Sequence, residues 1–541
     1  MVREKSKTDF GFTQRITAFF ERSVFAPFLF SVQPVLQLFL INVDELNFSD
    51  IVRALLAAFL IGCLVFGLFY LLLRDTLRAA LIASPVIILF FLFGKISNGF
   101  STVSILGPVR RDAIILVIVA LCIAAWIWVV HKRLKNPLSV NLYFNLLSIL
   151  FIINSGIQMR SHLVENSVSL KPQNRPVPIT TVNPENSNPN IYYIILDGYG
   201  RADILQALYE FDNSAFVESL QDRGFYVAGE SSSNYIYTLH SVSSAFNMGY
   251  LQDLQVDGRD LENRADLIEI LNYSKVRAGL AQNGYRMISF QNDYKATITT
   301  ADIYYNDPQS GFAKPVTAFE SIVFSDSMAR ILLHIPAINK AVVESPYNMH
   351  RSFILSTFDR LKDVPAMVGN LFVHAHIIAP HPPFIFDEDG GTILHSEPFS
   401  LLDGNYYLKI KDHSRKGYIS DYRKQIQYIN TLVLDAVDAI LADSKTPPII
   451  IIQSDHGPGS HLHLGSLEQT LPAERFSILN AYYFPDQDYT SLYPSISPVN
   501  SFRVVLNQFF DGNYELLPDQ HYYSKWNFPF DFVQVTDLSL P

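Results

Sequence analysis

Five uncharged or nearly uncharged apolar runs fill the first 157 residues, at 24–43, 54–73, 79–94, 113–130 and 137–157. A bilayer core takes about 20 apolar residues per helix, within a range of about 17–25. The second and fourth runs fit that length well and the first fits it. The third has 16 residues and carries Pro85, and alone it would read as a buried core helix. Its neighbours make it a span. The fifth run is the least apolar. The pattern predicts five membrane helices, with four as the alternative.

The periodicity stops at 158. Residues 158–189 are rich in Pro and Asn and carry no apolar period, which predicts an extended linker. From 190 to 541 the pattern is that of a globular α/β domain. Continuous β-prone runs stand at 191–196, 285–290, 370–378 and 448–453. Unbroken apolar strands suggest a sheet covered on both faces. Between them lie helical periods, 418–441 being the longest. The expected organisation is therefore a membrane domain over 1–157, a linker over 158–189 and one outer domain over 190–541.

Charge gives the expected orientation. Ten basic residues lie on one side of a five-span arrangement, in the N-terminus and in the loops around Arg74–Arg78 and Lys132–Lys135. Arg53, Lys95, Arg110 and Arg111 fall on the other side, against the tendency of basic residues to stay inside. The majority predicts a cytoplasmic N-terminus and an extracytoplasmic C-terminal domain. The first run is long, starts late and lacks a small-residue cleavage pattern, so it reads as an anchor and not as a signal peptide. Residues 1–159 hold 14 basic and 8 acidic residues, or +6; the remainder holds 27 and 43, or −16. An acidic outer domain argues against a nucleic-acid partner. The two cysteines, Cys63 and Cys122, both lie in apolar runs, which excludes a disulfide scaffold or a Cys-based zinc site.

The chemistry sits where strands end. Asp197-Gly follows the first strand, and Ser454-Asp455-His456-Gly follows the last of the four. In open α/β sheets ligands gather beyond the carboxyl ends of strands. Asp-Gly after one strand is ordinarily a plain turn; two such ends together suit a divalent metal such as Zn or Mn, with Mg as a third choice. A hydroxyl nucleophile would come from the segment 231–247. Thr238 stands where a loop becomes a helix, and a helix N-terminus stabilises an anion; the plainer reading is an N-cap. Ser233 and Ser241 are its rivals. His374 and His376 share a strand face and read as core or crevice wall. His240 reads as lining, and His461 and His463 as a loop.

These elements together resemble the alkaline phosphatase/sulfatase superfamily: Tyr-Ile-Ile-Leu-Asp197-Gly, a Thr/Ser loop about 40 residues later, Ala-Pro-His381-Pro-Pro-Phe, and Ser-Asp455-His456-Gly. Five spans ahead of such a domain look like the lipoteichoic acid synthase and phosphoethanolamine transferase type. The resemblance implies a central mixed sheet flanked by helices. It implies Asp197, Thr238, Asp455 and His456 as metal ligands, Thr238 also as nucleophile, and His381 as a substrate or leaving-group residue. Arg475 takes a structural role. It further implies a phospholipid donor of phosphoglycerol or phosphoethanolamine and a glycan or lipid acceptor. No Cys/Ser-x-Pro-x-Arg stands at the required place, which argues against a formylglycine sulfatase. Two other readings remain: an ester hydrolase of the same superfamily, or a catalytically silent lipid-sensing regulator. A transporter is disfavoured because the spans hold almost no internal charge.

Overall fold

The computed structural model describes residues 14–43, 46, 48–100, 107–167, 188–256, 258–294, 300–306, 315–409 and 414–540. The chain forms two compact units. One comprises Met1–Glu165, Gln309–Pro346 and His395–Phe399; the other comprises Asn166–Pro308, Tyr347–Leu394 and Ser400–Pro541.

The first unit is helical: α1 Gln14–Arg22, α2 Ala26–Ile41, α3 Phe48–Leu73, α4 Thr76–Gly99, α5 Pro108–Lys132 and α6 Pro137–Ser167. Four of these, α3 to α6, are long and apolar enough to cross a membrane. The bent pair α1 and α2, meeting at 78°, makes up to five. Both span counts drawn from the sequence are therefore represented. The α6 helix runs on to Ser167, and residues 168–187 of the expected linker lie outside the described residues.

The bend explains why the last run is the least apolar. Breaking a helix in a membrane frees backbone groups that have no water to bond. Asn145 on α6 accepts from the Phe25 and Ala26 N–H groups at 3.1 and 3.0 Å and donates to the Phe20 and Ser23 carbonyls, each at 2.8 Å. Asn141, one turn earlier, donates to the Glu21 and Ser23 carbonyls, each at 2.8 Å. Replacing Asn145 with Leu orphans three backbone groups at once, since Asn141 still donates to the Ser23 carbonyl. At about 1–3 kcal/mol for each buried unsatisfied group, we expect a loss of several kcal/mol. It would be read as a lowered unfolding midpoint in detergent; an unchanged midpoint would show that the bend closes without Asn145.

Among the described residues the second unit has eleven strands: β1 Ile191–Leu196, β2 Tyr226–Val227, β3 Gln255–Val256, β4 Arg259–Asp260, β5 Tyr285–Phe290, β6 Ile303–Tyr305, β7 Asn370–Ile377, β8 Ile449–Gln453, β9 Asn480–Tyr483, β10 His521–Lys525 and β11 Phe528–Val535. Seven form one sheet in the order β2-β9-β8-β1-β7-β5-β6. The central strands run parallel, while β9 is antiparallel to β8 and β2, so the sheet is mixed. The four strands read from the sequence are its centre. Every residue of β1 and β8 is buried, as strands covered on both faces must be. The period expected at 418–441 is a helix over Arg415–Asp443.

Candidate metal and nucleophile centre

Register brings the chemistry together. In the sheet, β1 lies between β7 and β8, pairing Ile195 with both His376 and Gln453. The next residues along β1 and β8 leave the sheet side by side. Asp197 donates its backbone N–H to the Ile377 carbonyl at 3.0 Å, and the Asp455 carboxylate accepts from the Gly198 N–H at 3.2 Å. Gly198 turns with φ +73°, a left-handed conformation that costs a residue with a Cβ roughly 1–2 kcal/mol. Gly457, after His456, is required for a different reason: a Cβ there would stand 2.1 Å from the Glu474 carbonyl.

Three of the four residues predicted as ligands converge on one atom of the fourth. His456 Nε2 lies 3.2 Å from Thr238 Oγ1, 3.6 Å from Asp197 Oδ1 and 3.3 Å from Asp455 Oδ2. All four side chains are buried. Asp197 Oδ1 and Asp455 Oδ2 make no hydrogen bond. Two buried carboxylate oxygens facing one another without donors is a costly arrangement in the absence of a cation. Two carboxylates, an imidazole and a hydroxyl form a hard-to-borderline donor set that fits Zn or Mn. The residues therefore fit a divalent metal.

His376 joins this group, although its sequence context reads as crevice wall. Its Nε2 lies 3.2 Å from Asp197 Oδ2, and Asp197, His376 and Asp455 offer ligand atoms all within 4.8 Å of one another. The two-residue strand period placed His374 and His376 on one face, but not at one depth. His374 packs against Phe246, ring centroids 5.1 Å apart, inside the core. His376 stands next to the last residue of β7, at the carboxyl end of a central strand. The pairing of β7 with β1 decides the difference, and sequence does not display it.

Electrostatics favour a charged Asp197 and a neutral His456. Burial pushes the Asp197 carboxyl up, but His381, the hydrogen bond from His376 and the field of His456 bring it well below the usual range. Burial lowers His456, and the nearby Arg475 lowers it further against the pull of Asp455 and Asp197, which keeps the imidazole neutral.

Thr238 is the first residue of the helix Thr238–Asn247, whose N-cap is Tyr237 with no side-chain cap bond. Its hydroxyl is thus not spent as a cap. The rivals are committed elsewhere. Ser233 Oγ and Ser241 Oγ both donate to the Tyr235 carbonyl, at 3.0 and 2.9 Å.

Behind the centre lies a second buried charge pair. Arg475 Nη1 donates to Asp403 Oδ2 at 2.7 Å and to the Gly457 carbonyl at 3.0 Å, and its Nε donates to the Ile236 carbonyl at 2.9 Å. One guanidinium therefore ties the loop before Thr238 to the loop after His456, in keeping with a structural role. Asp403 Oδ2 also lies 3.9 Å from His381 Nε2. Burial raises the Asp403 carboxyl, but Arg475 and His381 outweigh that and keep it low. Asp403 has no sequence signal beyond a turn-like Leu-Leu-Asp-Gly, with no strand before it. Its role comes from tertiary packing alone.

The remaining histidines are accounted for. His461 lies on Glu474, Nδ1 to Oε1 at 3.4 Å, and His463 accepts from the Gly465 N–H; both serve their loop. His240 packs among Tyr235, Tyr237, Phe530 and Phe532. Burial pushes His240 and His374 down to about 3 each. An unfolded chain would take up these protons near pH 6.5 while the folded chain refuses them. Their contribution is whole above about pH 6.5 and falls as the pH drops toward about 3, by up to ~1.4 kcal/mol per pH unit for each. His374→Leu should flatten the acid limb of the melting-temperature profile. An unaltered acid slope would remove His374 from this account.

No family model matches the chain, and no curated protein does. Solved structures similar to it include the C-terminal periplasmic domain of EptC from Escherichia coli in complex with Zn, at 11% identity and TM-score 0.40, over 64% of this chain and 93% of that one. The integral membrane lipooligosaccharide phosphoethanolamine transferase A from Neisseria meningitidis aligns at 13% identity and TM-score 0.39, over 91% of this chain and 94% of that one. BT1596, a 2-O GAG sulfatase, aligns at 12% identity and TM-score 0.34, over 63% of this chain and 74% of that one.

Proposed function

We propose that this chain is a metal-dependent phosphotransferase on the outer side of a membrane, with its N-terminus cytoplasmic. It moves a phosphoglycerol or phosphoethanolamine group from a phospholipid to a glycan or lipid hydroxyl, through phospho-Thr238. One observation carries the reading: the Thr238 hydroxyl and two unpartnered buried carboxylate oxygens converge on His456 Nε2.

Asp197, Asp455, His456 and Thr238 would hold the metal, with His376 beside Asp197. A bound divalent cation would lower the hydroxyl pKa and stabilise charge on the phosphoryl oxygens. The first step forms the Thr238 Oγ1–P bond and breaks the bond from phosphorus to the diacylglycerol oxygen. The free N–H groups of the first turn of Thr238–Asn247 face the incoming anion. His381 hands a proton to the leaving oxygen from Nε2, its Nδ1 being engaged with the Pro382 carbonyl and its ring steadied by Asp403. In the second step the acceptor hydroxyl attacks phosphorus, gives its proton to His381, and the Thr238 oxygen leaves.

Water in the acceptor's place gives the hydrolase reading from the same residues. Incubating the metal-loaded full chain with a headgroup-labelled phospholipid separates the outcomes. The label should appear on Thr238 by peptide mass spectrometry, then on an added acceptor. Label released only as the free phosphate ester would support a hydrolase. No label on Thr238 and no turnover with any divalent metal would favour the silent regulator.

A further inference from the structure

We propose that residues 315–346 form a strap lying in the membrane–water interface, and that Leu332 and Ile335 on it contact the headgroup and upper acyl region of the bilayer. The proposal rests on the membrane reading of α3 to α5 and is independent of the phosphotransferase reading.

This segment interrupts the sequence of the outer domain, yet it belongs to the helical unit. It contains the helix Ala318–Asp326, a 3-10 turn Met328–His334 and the short helix Pro336–Asn339. None is long enough to span a bilayer. Each of the first two is fastened to a spanning helix. Arg53 on α3 donates to Glu320 from Nε at 2.5 Å and to the Pro315 carbonyl at 2.9 Å. Lys95 on α4 lies 3.9 Å from Asp326. Arg330 donates to the Gly94 carbonyl at 3.1 Å and to Asn98 at 3.0 Å on α4, and lies 3.2 Å from Asp112 on α5. Asp112 is buried and also faces Arg111, Ser97 and His334.

These pairs account for three of the four basic residues, Arg110 excepted, that break the expected charge pattern. Arg53, Lys95 and Arg111 stand on the side of the membrane that basic residues avoid. Each is matched by an acidic partner, two of them supplied by the strap and the third by Asp112.

Apolar contacts fix the depth. Phe319 and Val323 pack in the apolar cluster that includes Ile51 and Phe91, and Met328 and Ile331 pack against the cluster of Phe93, Ile115 and Val119. Ile115 and Val119 lie one and two turns along α5 from Asp112, well into its apolar stretch. The approach is close: a Cβ on Gly94 would stand 2.4 Å from the Ser325 carbonyl. The strap therefore spans the level from the charged helix ends into the first apolar turns. At that level Leu332 and Ile335, directly after Ile331 and His334, are 45% and 48% exposed. An apolar side chain exposed beside basic residues at this depth meets lipid, the arrangement of an interfacial segment.

The test uses the full chain in vesicles of phosphatidylcholine and phosphatidylglycerol. In a Cys63→Ala, Cys122→Ala background, Leu332→Cys and Ile335→Cys are labelled with bimane. References are Leu64→Cys, on the lipid-facing side of α3 at 72% exposure, and Glu218→Cys, exposed on the outer domain. We expect lipids carrying a doxyl group at carbon 5 to quench both strap labels at least twofold more than lipids carrying it at carbon 12. Iodide should reach them less than it reaches position 218. Glu320→Arg should abolish the doxyl quenching, and Glu320→Arg with Arg53→Glu should restore it. Iodide quenching equal to that at 218 without doxyl quenching would overturn the proposal. So would carbon-12 quenching equal to that at position 64, which would place these residues inside a span.

Discussion

Thr238→Ala is expected to lower turnover by roughly 10³-fold or more, because the attacking oxygen itself is removed. The variant should nevertheless fold. The Oγ1 atom makes a single hydrogen bond, to His456, worth about 1 kcal/mol net, and alanine suits the first turn of a helix better than threonine does. A loss of activity with an almost unchanged melting point is thus the expected pairing. Thr238→Ser keeps a hydroxyl at the same helix position and should stay within about tenfold of the parent. Ser233→Ala and Ser241→Ala remove hydroxyls already bonded to the Tyr235 carbonyl, and should affect stability more than chemistry. Phospholipid turnover that survives Thr238→Ala while failing in Ser241→Ala would move the nucleophile.

Asp197→Asn and Asp455→Asn are expected to weaken binding of Zn or Mn by at least about 100-fold, since even residues that only support a ligand change affinity by about 10–100-fold. The stability change on adding metal distinguishes a ligand from a scaffold residue. Without metal, each carboxylate keeps an oxygen that is buried and unpartnered, near the further acidic charge of Asp403 behind His381. Neutralising Asp455 should leave the metal-free protein about as stable as the parent, whereas Asp197→Asn forfeits the interactions with His381, His376 and His456 that hold its carboxyl low and should lower metal-free stability. With metal at 100 times its Kd the parent gains about 2.7 kcal/mol, and the Asn variants should lose that gain. A rise in melting temperature on adding Zn or Mn to the parent, absent in both variants, is the expected result. If the Asn variants instead respond to metal as the parent does, these carboxylates are structural. His376→Ala should fall between the two, because His376 reaches the group only through Asp197 Oδ2.

Most of the fold and most of the site were legible from short-range pattern. Charge-free runs of bilayer length need no partner to be recognised, and the four unbroken apolar runs are the four adjacent strands β8, β1, β7 and β5. The candidate ligands Asp197, Asp455 and His456 were legible because Asp197-Gly and Ser454-Asp455-His456-Gly each follow a strand directly. Illegible were groups whose part depends on a partner distant in sequence. Asp403 and Arg475 meet across 72 positions, and Asn145 serves a helix break about 120 positions away. An asparagine in an apolar run reads only as a weakness of that run until the break it satisfies is seen.

The sequence by itself determined the apolar N-terminal helices, the identity of the central strands, and the residue types at their carboxyl ends. All of these follow from local hydrophobicity and from what a chain can do immediately after a strand. Only the tertiary structure decided which hydroxyl faces the carboxylates, which of two histidines on one strand face reaches them, and where 315–346 belongs. Those outcomes turn on strand register and on close packing between segments far apart in the chain. The strap has no apolar run to declare it. It is held by charge pairs and by a glycine that admits it, and neither has meaning until the partner is in place.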